Sequence, residues 1–190
     1  DNFFVKTTEE RQMLEFVKGQ AQKYLAGMTG NTLISGSTGI GKSHLSLALA
    51  KEINDSFREK NEPKSVLFVS LTEIIKQIKE GWAYGRNANL TEYEAVKKLV
   101  DVDFLIIDDL GAKNGTVTPK SDWEQDFLFD IINNRETTIF NTNLDSSELR
   151  TVYNARNSSR ILKGLEGNTF KAFTIKDKRY TINTVRGEYQ

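Results

Sequence analysis

Five short apolar runs, each bounded by polar residues, recur along the chain: NTLIS (31–35), SVLFVS (65–70), DFLIID (103–108), TTIFNT (137–142) and FKAFTI (170–175). Runs of this length read as buried strands. Between them, apolar positions recur with a helical period over Glu9–Leu25, Ser43–Lys60, Leu71–Lys79, Glu92–Val100 and Asp122–Asn134. This alternation of strand and helix predicts an α/β fold with a mostly parallel five-stranded sheet between helical layers. Right-handed crossovers then gather the carboxyl ends of the strands along one edge, where ligands bind in folds of this kind. The chain has only two prolines, Pro63 and Pro119, and neither a repeat nor a low-complexity tract, so residues 1–190 read as one domain. Two stretches read as long loops, Gly81–Leu90 and Gly111–Ser121.

Charge and composition narrow the function without naming it. Lys+Arg and Asp+Glu both count 26, for a formal net charge of zero, so any contact with nucleic acid has to come from a local patch. There are no cysteines, which excludes disulfides, thiolate nucleophiles and thiolate metal sites and fits a reducing, cytoplasmic setting. No apolar stretch approaches the roughly 20 residues that span a bilayer, and no signal peptide opens the chain, so no membrane role is expected. The sequence begins at Asp1 rather than Met, which leaves room for an N-terminal part with a partner-binding role.

The first strand runs straight into GSTGIGKS, Gly36 to Ser43, with a helix after it. This is the spacing of a P-loop. Its glycines let backbone N–H groups curl around phosphate oxygens while the helix N-terminus adds positive potential. Gly36, Ser37, Thr38, Gly39, Ile40 and Gly41 would form the cradle, Lys42 would reach the β and γ phosphates, and Ser43 would ligate Mg²⁺. The alternative is an ordinary glycine-rich turn, against which Lys42, Ser43 and the flanking periodicity all speak. His44, the single histidine, follows directly and reads as a packing or solvent-facing neighbour of the site.

The third strand ends in two acids, Asp108 and Asp109. Adjacent carboxylates at the end of a buried strand are costly without a cation, and Mg²⁺ would supply one. Asp108 suits the metal-side role, and Asp109 could orient or deprotonate an attacking water. A turn or cap after a core strand is the alternative.

Five segments in order, SGSTGIGKSHLSLALA, VDFLIIDDLGA, FNTNLDSSELR, ARNSSRILKGLEGN and VRGEY, resemble the AAA+ domain of the DnaC/DnaI helicase-loader family, related to the transposition ATPase IstB and the initiator DnaA. The resemblance runs from about Leu14 over nearly the whole chain. It implies an ATP-binding and hydrolysing loader or primosome component with ATP/ADP and Mg²⁺ as ligands. Its implied partners are a replicative DNA helicase, single-stranded DNA and further copies of the chain. Asn143 matches the position that senses the γ-phosphate. Arg160 matches the arginine finger that enters a neighbour's site, and Arg156 a second basic position of that motif; from residue type alone, Asn143 reads as a turn residue and both arginines as solvated surface. Asp109 stands where many AAA+ proteins carry Glu. No lid with a sensor II arginine is expected after Ile175, because the chain closes on an apparent strand pair, FTIKDKRYTIN. The loaders' helicase-gripping N-terminal region is not recognised in this sequence.

Loaders of that family contact single-stranded DNA through an insertion before the third strand, which here corresponds to EGWAYGRNANLTEYEAVKK. Trp82 and Tyr84 could stack on bases, with Arg86, Lys97 and Lys98 offsetting phosphate charge. Equally, Trp82 could be core packing and the lysines a solvated helix face. Lys113 is a weaker candidate. Three function classes stay open: the ATP-driven loader, with an IstB-like transposition helper as its sibling; a nucleotide-gated adaptor with little hydrolysis; and a small-molecule kinase, for which Arg150–Lys163 would have to be a mobile lid. No NKxD base-reading motif is present. Phe3 and Phe4 read as core aromatics.

Overall fold

The apolar runs form the five strands of one sheet, in the order β2-β3-β4-β1-β5. These are β1 (Thr32–Gly36), β2 (Val66–Ser70), β3 (Phe104–Leu110), β4 (Thr138–Thr142) and β5 (Thr169–Ala172), and every ladder between them is parallel. The computed structural model describes residues 3, 5–84, 90–111 and 117–178, with no side-chain placement for residues 83 and 84. Its helices are α1 (Thr8–Leu25), α2 (Lys42–Glu59), α3 (Leu71–Tyr84), α4 (Glu92–Asp101), α5 (Asp122–Ile132), α6 (Ser146–Val152) and α7 (Ala155–Ile161). No described helix is long and apolar enough to cross a membrane.

Alternation along the strands divides the core into two layers. Ile34, Ile106 and Ile139 pack with Met13, Val17, Leu45, Leu49 and Ile53 of α1 and α2. Their strand neighbours Leu33, Leu105, Ile107 and Phe140 point the other way, against Ile75, Leu99, Phe127, Leu128, Leu149 and Ile161 of the remaining helices. Because the side-chain period of a strand is two, each central strand serves both layers and reads as a nearly continuous apolar run.

Helix starts follow local chemistry. Helices α1, α4, α5 and α6 each open with a reciprocal capping box, Thr7/Glu10, Thr91/Glu94, Ser121/Glu124 and Asp145/Glu148. Helix α2 instead begins after Gly41, in a left-handed conformation and with no side-chain cap, so its first-turn N–H groups are not served by a capping side chain.

Three sequence expectations are corrected. Helix α3 runs to Tyr84 rather than Lys79, because the stripe Ile74, Ile75, Ile78 continues one turn further to Trp82, which packs edge-on against Trp123 at 4.8 Å. The expected long loop from Gly81 is shorter accordingly. Strand β5 stops at Ala172; residues 173–178 form bends and a turn, not the first half of a strand pair. There the chain leaves the edge of the sheet to fold across the turn between β1 and α2. The rest of the expected pair and the VRGEY segment lie outside the described residues, as do Phe4 and residues 85–89 and 112–116. Short α6 and α7, for which no period was read, are fixed by the Asp145 cap and the Asn154 side chain.

Glu10 ties the two ends of the described chain together. Its carboxylate accepts from the Thr7 and Lys6 N–H groups and pairs with Lys178 at 3.2 Å. Burial works against its charge, yet these hydrogen bonds and Lys178 hold its pKa below the ordinary value. A depressed folded pKa stabilises the fold above the unfolded value, and this contribution disappears as pH falls through the folded value. Glu10→Gln is expected to lose about 1–2 kcal/mol at pH 7 in urea unfolding, and the gap to the parent protein should close as pH falls below the carboxylate range.

Candidate functional site

At the carboxyl edge of the sheet, β1 ends in the turn Gly36–Gly41 and α2 begins. Gly39 and Gly41 have φ of 78° and 100°, a conformation that L side chains rarely adopt. A side chain at Gly39 would also collide with the Asp177 carboxylate, and one at Gly41 with the Phe3 ring. Residues 172–178 clasp this turn from outside. Ser37 donates its N–H to the Ala172 carbonyl (3.1 Å) and its hydroxyl to the Phe173 carbonyl (3.2 Å), and Lys178 donates its N–H to the Gly39 carbonyl (3.0 Å). The Lys178 ammonium lies 3.6 Å from the centre of the Phe3 ring, which also stacks loosely on His44. Phe3 therefore packs on the turn itself, at the margin of the core.

Lys42 is the pivot of the site. Only 7% exposed, it donates to the carbonyls of Gly36 and Ser37, both at 2.8 Å, and to Oδ1 of Asn143 at 2.6 Å. Ser43 and His44, the next residues, are exposed. Asn143 stands just beyond β4, so the turn after β1 and the end of β4 meet on one ammonium.

Asp108 and Asp109 do not share an environment. Asp108 is buried and accepts from Asn141 Nδ2 at 2.9 Å. Asp109 is exposed and left-handed, with φ of 53°. The pairing of β3 with β4 shifts here, from Ile107↔Phe140 to Leu110↔Thr142, so β3 carries one extra residue. This is a bulge, which turns adjacent side chains out of strict alternation and is tolerated here because aspartate visits the left-handed region. Beyond it the Thr142 hydroxyl donates to the Leu110 carbonyl at 2.7 Å and restores the ladder. Partial desolvation, then the Asp108 charge, push the Asp109 carboxyl above its ordinary pKa, while Lys42 pulls it down. β3 thus continues two residues past the predicted end at Asp108.

Two residues that motif reading missed complete the arrangement. Asn141, fully buried on β4, accepts at Oδ1 from the Ser46 hydroxyl of α2 (2.8 Å) while donating to Asp108. The signal was in the sequence: Asn141 and Asn143 are two polar positions two apart at the end of an apolar strand, so they share a face.

The arginines lie elsewhere. Both are on α7, four residues apart. Arg156 donates to Asp126 at 2.6 Å, and its guanidinium carbon lies 3.8 Å from the centre of the Phe129 ring, both on α5. Arg160 is exposed, and its guanidinium has no hydrogen-bond or ion-pair partner among the described residues. The Arg160 carbonyl accepts from the Asn31 side chain at 2.7 Å, just ahead of β1. The P-loop follows the other end of that strand, roughly 16 Å away for five residues. Arg160 and the P-loop of the same chain therefore sit at opposite edges of the sheet.

In the segment singled out for DNA, Trp82 is 57% exposed and ends a row of rings, Trp82, Trp123 and Phe127, beside Lys79. Lys97 pairs with Asp101 on its own helix, and Lys98 is exposed. The Tyr84 side chain, Arg86 and Lys113 lie outside the described residues. Tyr93, 76% exposed on α4, was not singled out.

The donor chemistry fits Mg²⁺: a hydroxyl and a buried carboxylate are hard oxygen ligands of the kind that hold this ion together with substrate phosphates.

The fold is similar to several solved structures. The DnaC helicase loader matches with 19% identity over 92% of this chain and 95% of that one, at a TM-score of 0.64. DnaI matches with 21% identity over 94% and 88%, at 0.61. AMPPCP-bound DnaA from Aquifex aeolicus matches with 21% identity over 96% of this chain, at 0.63; this chain spans 52% of that one. At these identities the likeness carries the fold, a P-loop NTPase of AAA+ type, with no helical lid after β5 among the described residues. No curated protein matches the chain. The model of the IstB-like ATP binding proteins matches residues 9–162, and with its P-loop lysine, bulged aspartate pair and β4 asparagine gathered at one sheet edge, the chain belongs to that ATP-binding family.

Proposed function

We propose that the protein is an ATPase of the helicase-loader type, working in DNA replication on a replicative helicase and single-stranded DNA. The observation that carries this reading is the split of the machinery: Lys42, Asp108, Asp109 and Asn143 at one edge of the sheet, Arg160 at the other. A site divided in this way suits completion by a second copy, whose Arg160 would reach the phosphates of the first. The DnaC helicase loader and DnaI structures and a DnaA structure bound to AMPPCP and single-stranded DNA supply the replication context.

In this reading the backbone of Gly36–Gly41 and the uncapped start of α2 hold the phosphates, and Lys42 exchanges its carbonyl partners for phosphate oxygens. Ser43 and Asp108 would hold Mg²⁺, which would supply neutralising charge for the phosphates. Asp109, carried outward by the bulge, orients the attacking water. Asn143 bridges Lys42 and the terminal phosphate. The Arg160 guanidinium of a neighbouring copy spreads its charge over the transferred group. A second reading, the IstB-like transposition helper, is favoured by the family match over residues 9–162. It shares the ATP chemistry and differs in the partner.

Steady-state ATPase activity measured against protein concentration tests the divided site. Specific activity is expected to rise with concentration. Arg160→Ala should lose roughly 10³-fold in turnover while binding ATP within twofold of the parent chain. Activity that is flat with concentration and indifferent to Arg160 would overturn the in-trans assignment.

Lys42→Ala is expected to weaken ATP binding at least about tenfold, read by equilibrium titration with a fluorescent ATP analogue.

For the DNA contact, stacking on Trp82 predicts that Trp82→Ala weakens binding of a labelled single-stranded oligonucleotide at least about fivefold in anisotropy titrations. Unchanged affinity would leave Trp82 as the cover of Trp123 alone.

A further inference from the structure

A helix and a strand that lie side by side repeat at different intervals, and α2 and β4 match at two points. Lys42 and Ser46 are four residues apart on α2, a rise of about 6 Å on one face. Asn141, in β4, and Asn143, just beyond its end, are two apart, at most about 6.6 Å along the chain. The near-equality lets both pairs bond at once, Lys42 with Asn143 and Ser46 with Asn141. The second rung continues sideways to Asp108 on β3.

Proton placement along this second rung follows from the chemistry. An ionised Asp108 only accepts, so the Asn141 amide must turn its NH₂ toward it. Its Oδ1 then faces Ser46, whose hydroxyl donates. Ser46 and Asn141 are fully buried and Asp108 nearly so, so water does not compete for these bonds. The amide is held at both ends, and Oδ1 of Asp108 is committed to it.

We propose that Asn141, fixed by Ser46, is a positioning residue for the metal-side carboxylate: it sets the orientation of Asp108 and thereby the affinity of the nucleotide site for Mg²⁺. The inference rests on the ATP–Mg²⁺ reading above. Partners of this kind behind a ligating carboxylate are worth about 10- to 100-fold in metal affinity when removed. The proposal concerns only the Mg²⁺-dependent part of ATP binding, because Asn141 bonds neither the P-loop nor Lys42.

The test is binding of a fluorescent ATP analogue to the full chain, titrated with Mg²⁺ from chelator upward, with thermal unfolding of each variant alongside. Asn141→Leu keeps the branched shape and the number of side-chain heavy atoms and removes both bonds. It is expected to raise the Mg²⁺ concentration for half-maximal tightening about tenfold, with Mg²⁺-free affinity within twofold of the parent chain. Ser46→Ala frees only the far end of the amide and should shift the same midpoint two- to fivefold. That milder variant decides the matter should Asn141→Leu not fold. Midpoints equal to the parent's in the folded variants overturn the proposal, as does an equal loss of affinity with and without Mg²⁺, which marks a merely structural amide. A parent chain that binds no analogue under either condition overturns the nucleotide-site reading itself, a result distinguishable from the other two.

Discussion

A buried ammonium has to be surrounded by acceptors, and this requirement organises the whole carboxyl edge of the sheet. An uncompensated charge at the depth of Lys42 would cost several kcal/mol, so the turn after β1 must present its carbonyls and β4 must end where Asn143 can reach. The turn, the start of α2 and the end of β4, about a hundred residues further along, are thereby brought to one point. The same acceptors prepare the lysine for phosphate, since a cation already aligned by neutral oxygens can pass to anionic ones without a search for its position.

Asp108 places the opposite demand on the neighbouring strand β3. It too is buried, and the amide of Asn141 donates to it. The extra residue in β3 resolves a conflict between the two aspartates. In a regular strand they would point to opposite faces, and Asp109 would enter the apolar layer around Leu105 and Ile107. The bulge sends it out to solvent beside the site, at the cost of a left-handed backbone. Its raised pKa follows from partial desolvation first and the neighbouring Asp108 charge second, against the pull of Lys42.

The periphery is built with less economy of contact but a clear division. Phe3, Asp177 and Lys178 close over the phosphate turn and link both ends of the described chain to α1 through Glu10. On the other side, a buried network in which Asn157 donates to the carbonyl and side chain of Gln125 fixes α7 on α5. Within α7 the two arginines then diverge: Arg156 is spent on Asp126 and Phe129, while Arg160 faces solvent. The resemblance matched Arg160 to an arginine finger and Arg156 to a second basic position of the same motif.

Much of this was determined by the sequence itself. The five strands, the five longer helices, the P-loop and the aspartate pair are local patterns: strand and helix periods, capping boxes and a glycine spacing each act over a few residues, so they survive reading along the chain. The order β2-β3-β4-β1-β5 is stated by no local pattern, because it is a property of which strands pack side by side. What only the tertiary structure decided are the relations between patterns. Nothing in DFLIIDDLG states that β3 gains a residue against β4, because a bulge is a property of a pair of strands. Nothing in TTIFNTN states that Asn141 meets Asp108 on one side and Ser46 on the other. No local signal carries the path of residues 173–178 away from the sheet to the phosphate turn. Sequence patterns record what each segment must bury; which partner satisfies a buried charge or amide depends on distances across the fold, and these exist only once the layers have packed.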